Sequence, residues 1–169
     1  AGVKLCQAYH RQYGAKFISA IPANVYGISD HFNEGGHVLP SLIKKFHQAY
    51  LKKSRKVVIW GTGKPKRDFF YVDDLAEACI FLLDHYDRPE VINIGVGHET
   101  SIAQLALKIQ RISGFRGELV FDKSRPDGNP RRLLDSCKIS AAGWKAQTSL
   151  DEGLQLTWNW YLRMIAKGE

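Results

Sequence analysis

Apolar and polar positions along this chain fall into blocks that switch between helical and extended spacing. In "GVKLCQAYHRQYG", Leu5, Ala8, Tyr9 and Tyr13 gather near one face and Gly14 stands where a C-cap belongs, so the chain is predicted to begin inside a helix. "KFISAIPANVYG" then reads as a buried strand, Phe17 to Ile21, followed by a loop opened by Pro22 and closed by Gly27. From Val38, Leu39, Leu42, Ile43, Phe46 and Tyr50 recur at helical spacing, with Lys44, Lys45, Lys52 and Lys53 mostly off that stripe. Pro40 fits the first turn, where its missing N–H costs little.

The second half alternates in the same way. "KVVIWGTG" predicts a strand and a turn, "RDFFYV" a strand, and "DDLAEACIFLLDHY" a helix that buries Leu75, Cys79, Leu82, Leu83 and Tyr86 and is capped by Asp73 or Asp74. "EVINIG" and "GELVFD" are strands. Between them, Ser101 and Gln104 form a capping-box pattern ahead of Ile102, Leu105, Ala106, Ile109 and Ile112. "SRPDGNPRRLLD" reads as a long polar loop, after which a short helix runs to Gly143 and Ser149 with Glu152 caps a last helix through Ile165. Alternating helices and strands specify an α/β fold, whose binding groups sit in loops at strand ends.

A length of 169 residues with 44% hydrophobic content is enough for about one ordinary core. No apolar run approaches the roughly 20 residues that cross a bilayer, and "AGVKLCQAYH" lacks the order of a secretory signal, so the expected location is cytoplasmic and no membrane partner is expected. Three scattered cysteines, Cys6, Cys79 and Cys137, predict neither a disulfide nor a zinc site. The net charge of +7 suits an acidic partner or simple solubility equally well. Its cations cluster at Lys44–Lys45, Lys52–Lys56, Lys64–Arg67 and Arg125–Arg132.

Candidate chemistry is sparse. His37 follows Gly35 and Gly36 and precedes a helix, where a neutral imidazole could give and take protons near neutral pH, or simply sit at the surface or cap the helix. Trp60 and Arg67 flank "GTGKPK"; a flat ring and a guanidinium fork would suit a base or sugar and a phosphate, and a core Trp beside a solvated turn would look the same. Arg125 and Asp127 in "SRPDG" pair a cation with a carboxylate able to accept from sugar hydroxyls, although "PDG" is also ordinary turn chemistry. Asn24 is a donor and acceptor just after a strand, or a turn residue. His10, His31, His47, His85 and His98 show no metal-ligand spacing. There is no Gly-x-Gly-x-x-Gly and no P-loop, so this stretch is expected to hold no dinucleotide by itself.

"IPANVYG", "GGHVLPSLIKKFH", "VVIWGTGKPKRDFFYVDDLAEA", "INIGVG" and "FDKSRPDGNPRRLLD" together resemble the C-terminal half of the GDP-L-fucose synthase family, within the extended short-chain dehydrogenase/reductases. The resemblance implies the last elements of a Rossmann sheet and a smaller α/β substrate-binding domain. Residues 1–30 would be the tail of the dinucleotide-binding domain and 31–169 mainly the substrate domain, with 73–100 returning to the Rossmann sheet. It implies 3,5-epimerisation and NADPH-dependent 4-reduction of GDP-4-keto-6-deoxy-D-mannose. His37 matches the acid that protonates carbon and lies near the cofactor. Pro22, Ala23, Asn24 and Val25 match the loop over the nicotinamide end of NADP. Lys45, Trp60, Arg67 and Asp127 match GDP-sugar contacts, and Arg125, where relatives often carry Lys, is inferred to touch the diphosphate.

The family's Gly-rich turn, its catalytic Ser and Cys, and its Tyr-x-x-x-Lys pair would all precede Ala1, none of the three cysteines matching that Cys. The chain is therefore expected to be a piece of a longer homodimeric enzyme, inactive without its N-terminal Rossmann half. Two alternatives stay open: another nucleotide-sugar epimerase or dehydratase of the superfamily, and a noncatalytic nucleotide-sugar-binding module. Nucleic acid is not an expected partner, since no nucleic-acid motif accompanies the basic clusters.

Overall fold

A computed structural model describes residues 1–32 and 36–168. The chain opens with α1 (Gly2–Tyr13), which ends at Gly14 in the left-handed region, φ 65°. Two short strands follow, β1 (Ala20–Pro22) and β2 (Asn24–Tyr26), then α2 (Val38–Leu51) and β3 (Lys56–Trp60). The structure departs from the buried strand expected over Phe17–Ile21 and from the loop expected after Pro22. Only Ala20–Pro22 pairs, Phe17 and Ile21 are exposed, and the supposed loop contains β2.

The RDFFYV stretch is split into β4 (Lys66–Arg67) and β5 (Phe69–Tyr71). Asp68 breaks the strand because its carboxylate turns inward to accept the N–H groups of Val96 and Gly97, at 3.3 and 3.1 Å. Next come α3 (Val72–His85), β6 (Ile92–Ile94), β7 (Thr100–Ser101) and α4 (Ile102–Ser113). The expected capping box at Ser101 and Gln104 is formed in both directions. The chain closes with β8 (Glu118–Asp122), β9 (Arg131–Arg132), α5 (Cys137–Ala141) and α6 (Leu150–Ala166), whose N-cap Ser149 accepts from the Glu152 N–H.

Strand pairing is mostly parallel and non-local: β1 with β6, β2 with β5, β3 with β8, and β4 between antiparallel β7 and parallel β9. Parallel partners need helical crossovers, which is the α/β architecture expected from the alternation.

Two cores result. In the larger, α2, α4 and α6 pack around Phe46, Leu105, Ile109 and Leu154. The smaller gathers Phe70, Ala78, Leu82, Ile92, Ile94 and Ile139. Strand alternation lets β5 serve both, since Phe69 and Tyr71 face the larger core and Phe70 the smaller.

Three helix positions on the expected apolar stripes of α2 and α3 are also exposed. On α3 the buried positions are Asp74, Ala78 and Leu82, while Cys79 and Leu83 are exposed, and on α2 Tyr50 is exposed. Nor do Asp73 and Asp74 supply the cap of α3, which has Tyr71 at N-cap and no side-chain cap. Asp74 instead accepts from the Gln147 and Thr148 N–H groups and the Thr148 hydroxyl, at 3.1–3.2 Å, pinning the segment before α6. Gly35 lies outside the described residues. Among them no helix is long and apolar enough to cross a membrane, no three His, Cys, Asp or Glu side chains form a metal-binding group, and the three cysteines are free.

Candidate nucleotide-sugar cleft

The larger core aims one end of three elements at the same place. The N-termini of α2 and α4 and the C-terminal end of β3 border a cleft of about 410 Å³, lined by Asn24, His37, Trp60, Arg67, Asp127 and Arg132 among others. Each helix start contributes the equivalent of roughly half a positive charge. Strand-end loops and helix N-termini are where α/β folds receive anions. A volume of this size suits a small molecule.

Trp60 is 60% exposed, which removes the reading of a core tryptophan. Lys45 Nζ and the Arg125 guanidinium lie over its ring at 4.9 and 5.2 Å from the centroid. Lys45 also donates to the Val58 carbonyl at 3.3 Å. It lines a neighbouring hollow of about 510 Å³ that shares Trp60, Val38 and Ile102 with the first. Trp60 thus divides one groove into two lobes.

The two loops that carry the polar groups are clasped together. Thr62 donates its N–H and hydroxyl to the two Asp127 oxygens, at 2.8 and 2.6 Å. Those bonds, the hydroxyl's first, hold the Asp127 carboxyl below its ordinary range. Gly61, at φ 81°, leaves room for Asp127 Oδ1 where any Cβ would collide with it. Arg67 donates to the Lys66 carbonyl at 2.7 Å, and a Cβ on Gly128 would stand 3.4 Å from its Nη2, so the Asp127 loop folds directly over the guanidinium.

His37 is the backbone N-cap of α2, with φ −60° and ψ 151°, and makes no side-chain cap hydrogen bond. Its exposed ring borders the cleft. Asn24 gives both its backbone N–H and its side-chain Nδ2 to the Asp68 carbonyl, each at 3.0 Å. Val25 borders the cleft beside it, whereas Pro22 and Ala23 do not: Ala23 is buried in the smaller core and donates its N–H to the Ile94 carbonyl at 2.8 Å.

The structure brings His37, Asn24, Val25, Trp60, Arg67 and Asp127 to one cleft and sets Lys45 and Arg125 over the Trp60 ring. Arg132 and Thr62 join them without a signal in the sequence. Arg132 stands opposite Arg67 because β9 pairs with β4, a register invisible in a basic loop. The Thr-x-x-x turn gave no sign of the Asp127 clasp 65 residues away.

Over residues 1–95 the chain matches the NAD dependent epimerase/dehydratase family. It is 51% identical over 166 residues to the probable GDP-L-fucose synthase 1 of Oryza sativa subsp. japonica, covering 98% of this chain and 51% of that protein. A GDP-L-fucose synthetase from Naegleria fowleri, solved bound to NADP, superimposes with a TM-score of 0.89 at 31% identity, covering 97% of this chain and 53% of that one. A GDP-6-OMe-4-keto-L-xylo-heptose reductase from C. jejuni also gives 0.89, at 35% identity, with 96% and 58% covered. The chain spans about half the length of the curated relatives it matches.

Proposed function

This chain belongs to the NAD dependent epimerase/dehydratase family, and on that premise we propose that its cleft is the GDP-sugar side of a GDP-L-fucose synthase active site. The observation that carries the reading is the convergence of Arg67, Arg132, Trp60 and His37 on one cleft headed by two helix N-termini. Guanidinium groups match diphosphate oxygens in a bidentate fork, and an exposed ring offers a flat apolar face to a base or sugar.

In the proposed reaction the substrate is GDP-4-keto-6-deoxy-D-mannose. The 4-keto group acidifies the hydrogens at C3 and C5, so a base removes each proton and the electron pair enters the enolate. His37 returns a proton to carbon from the other face. Arg67 and Arg132 anchor the diphosphate, Lys45 and Arg125 reinforce it beside Trp60, and the Thr62-held Asp127 fixes the loop that covers Arg67. NADPH, when bound, supplies the hydride that reduces the C4 ketone. The residues here fit only its nicotinamide end: Asn24 and Val25 would border it, with Pro22 and Ala23 holding that turn on β6, and no Gly-rich turn for the pyrophosphate is present in the sequence.

The same proposal assigns residues 1–30 and 73–100, with α1, β1, α3 and β6, to the cofactor-binding sheet, and the remainder to the substrate domain. It includes a cytoplasmic location and a homodimer, for which the exposed Leu5, Tyr9 and Tyr13 of α1 offer apolar surface.

A second reading, a 4-keto reductase of another GDP-sugar, is favoured by the likeness to the heptose reductase. Product analysis of an active assembly separates the two. The cleft itself is tested by calorimetric titration with GDP and GDP-mannose. Losing one charged hydrogen-bonding group costs about 1.5–3 kcal/mol, so Arg67→Ala should raise Kd by about 10- to 150-fold. A titration in which Arg67→Ala weakens no GDP-binding step would sink the assignment.

A further inference from the structure

A second cleft lies at the opposite end of the same three elements. It has a volume of about 860 Å³ and is built from the turns that follow α2 and α4, with Tyr50, Lys53, Arg55, Arg111 and Arg116 on its walls. From Ile102, at the first cleft, to Arg111 the helix rises about 14 Å, and from Val38 to Tyr50 about 18 Å. One small ligand cannot fill both.

All four cations are exposed, and no described salt bridge involves any of them. No Asp or Glu lines the walls. The ordinary explanation for cations at such a place is compensation of helix C-termini. Two helix ends carry about −0.5 each, which accounts for about one of the four charges and leaves a surplus of about three.

The turns are also held in place. Glu118 N–H donates to the Arg55 carbonyl at 2.9 Å and Gln110 Nε2 to the Gly117 carbonyl at 2.8 Å, while buried Phe115 packs edge-on against Phe46, centroids 5.8 Å apart. A Cβ on Gly117 would strike Phe115 and the Arg55 carbonyl, so the two turns touch backbone to side chain without slack. Beside this rigid cationic rim, Tyr50 is 56% exposed although it sits on a helix whose stripe is otherwise buried, and a Cβ on Gly114 would be 3.9 Å from its ring.

We propose that this cleft is a second ligand site, taking a nucleoside diphosphate or triphosphate with its phosphates among Arg55, Arg111, Arg116 and Lys53 and its base on Tyr50. The separation of roles follows from the chemistry: phosphate oxygens accept from guanidinium forks, and any base stacks on an exposed phenol ring. The proposal is independent of the reaction assigned to the first cleft.

The test is calorimetric titration of the Arg67→Ala chain with GDP, pyrophosphate and guanosine at fixed salt. GDP should still saturate the protein, more tightly than pyrophosphate, and guanosine should bind least. Adding Arg111→Ser and Arg116→Ser should raise the GDP Kd by about tenfold or more. Tyr50→Ala should erase the preference for GDP over pyrophosphate. Removing two cations elsewhere, Lys4→Ser with Arg11→Ser, should change Kd less than twofold. A thermal melt of each variant confirms that it is folded. The site is overturned if the Arg67→Ala chain does not bind GDP, if the Arg111/Arg116 pair has no effect, or if the α1 pair weakens binding equally, which would reduce the effect to net charge.

Discussion

Replacing Phe70 by Ala separates what holds the cleft together from what lines it. Phe70 is fully buried in the smaller core, edge-on to Trp144 with centroids 5.9 Å apart at 86°, and it does not border the cleft, whereas its neighbour Phe69 does. Truncating a buried Phe costs about 3–5 kcal/mol, the lost transfer energy plus the cavity left behind. A domain of ordinary stability has about 5–15 kcal/mol in total, so at least about a fifth is removed. With a urea m-value of about 2–3 kcal/mol per molar, the midpoint should fall by about 1–2.5 M. Urea unfolding followed by tryptophan fluorescence and far-UV circular dichroism measures that fall. Because Phe69 and Tyr71 anchor the same three-residue strand in the other core, both signals should move together. GDP binding without denaturant should change less than twofold. A midpoint shift below about 0.3 M, or lost binding with the midpoint unmoved, would refute the assignment of Phe70 to packing alone.

Asp68 gives a pH signature. Burial lifts its carboxyl above the ordinary value of 3.8, against the pull of the Gly97 and Val96 N–H groups. The native state therefore holds this proton more tightly than the unfolded one, so stability is fully present below the unfolded value and is lost as pH rises through the raised native value. Relative to Asp68→Asn, the wild-type urea midpoint should decline with pH from about 4 upward, and an opposite slope would contradict the burial argument. Thr62→Val removes the hydroxyl that does most to hold Asp127 low. Carbon-detected NMR titration of Asp127 should show its carboxyl move up toward the usual range, and an unmoved titration would mean that Thr62 is not its partner. When the chain is joined to a relative's cofactor-binding half, His37→Gln should slow epimerisation by about 10²- to 10⁴-fold with GDP affinity kept. Unchanged turnover would remove His37 from the chemistry.

Helices were legible where their signals are local. The capping box of α4, the Gly14 end of α1 and the apolar stripe of α2 are written in residues three or four apart. Periodicity marks which side chains are apolar, not what covers them, and that is why it predicts burial for Leu83 and Cys79, which stand exposed. Nor could a continuous apolar run such as RDFFYV disclose that Asp68 interrupts it, since the N–H groups that draw the carboxylate inward lie 28 and 29 residues on. The cleft followed the same rule. Residue types at loop positions pointed to His37, Trp60, Arg67 and Asp127, but the groups that orient them, Thr62 and the Arg132 register, depend on strand pairing across the chain.

The two carboxylates that bracket β5 also say something about synthesis. Asp68 awaits residues 96 and 97, and Asp74 awaits 147 and 148, so a chain leaving the ribosome presents Phe69, Phe70 and Tyr71 with neither acid satisfied. At about 5–20 residues per second, the 74 residues from Asp74 to Thr148 take roughly 4–15 s to appear. For that interval β5, buried at all three positions in the folded protein, lacks the α6 residues that cover Phe69 and Tyr71, so its packing can be completed only late in synthesis.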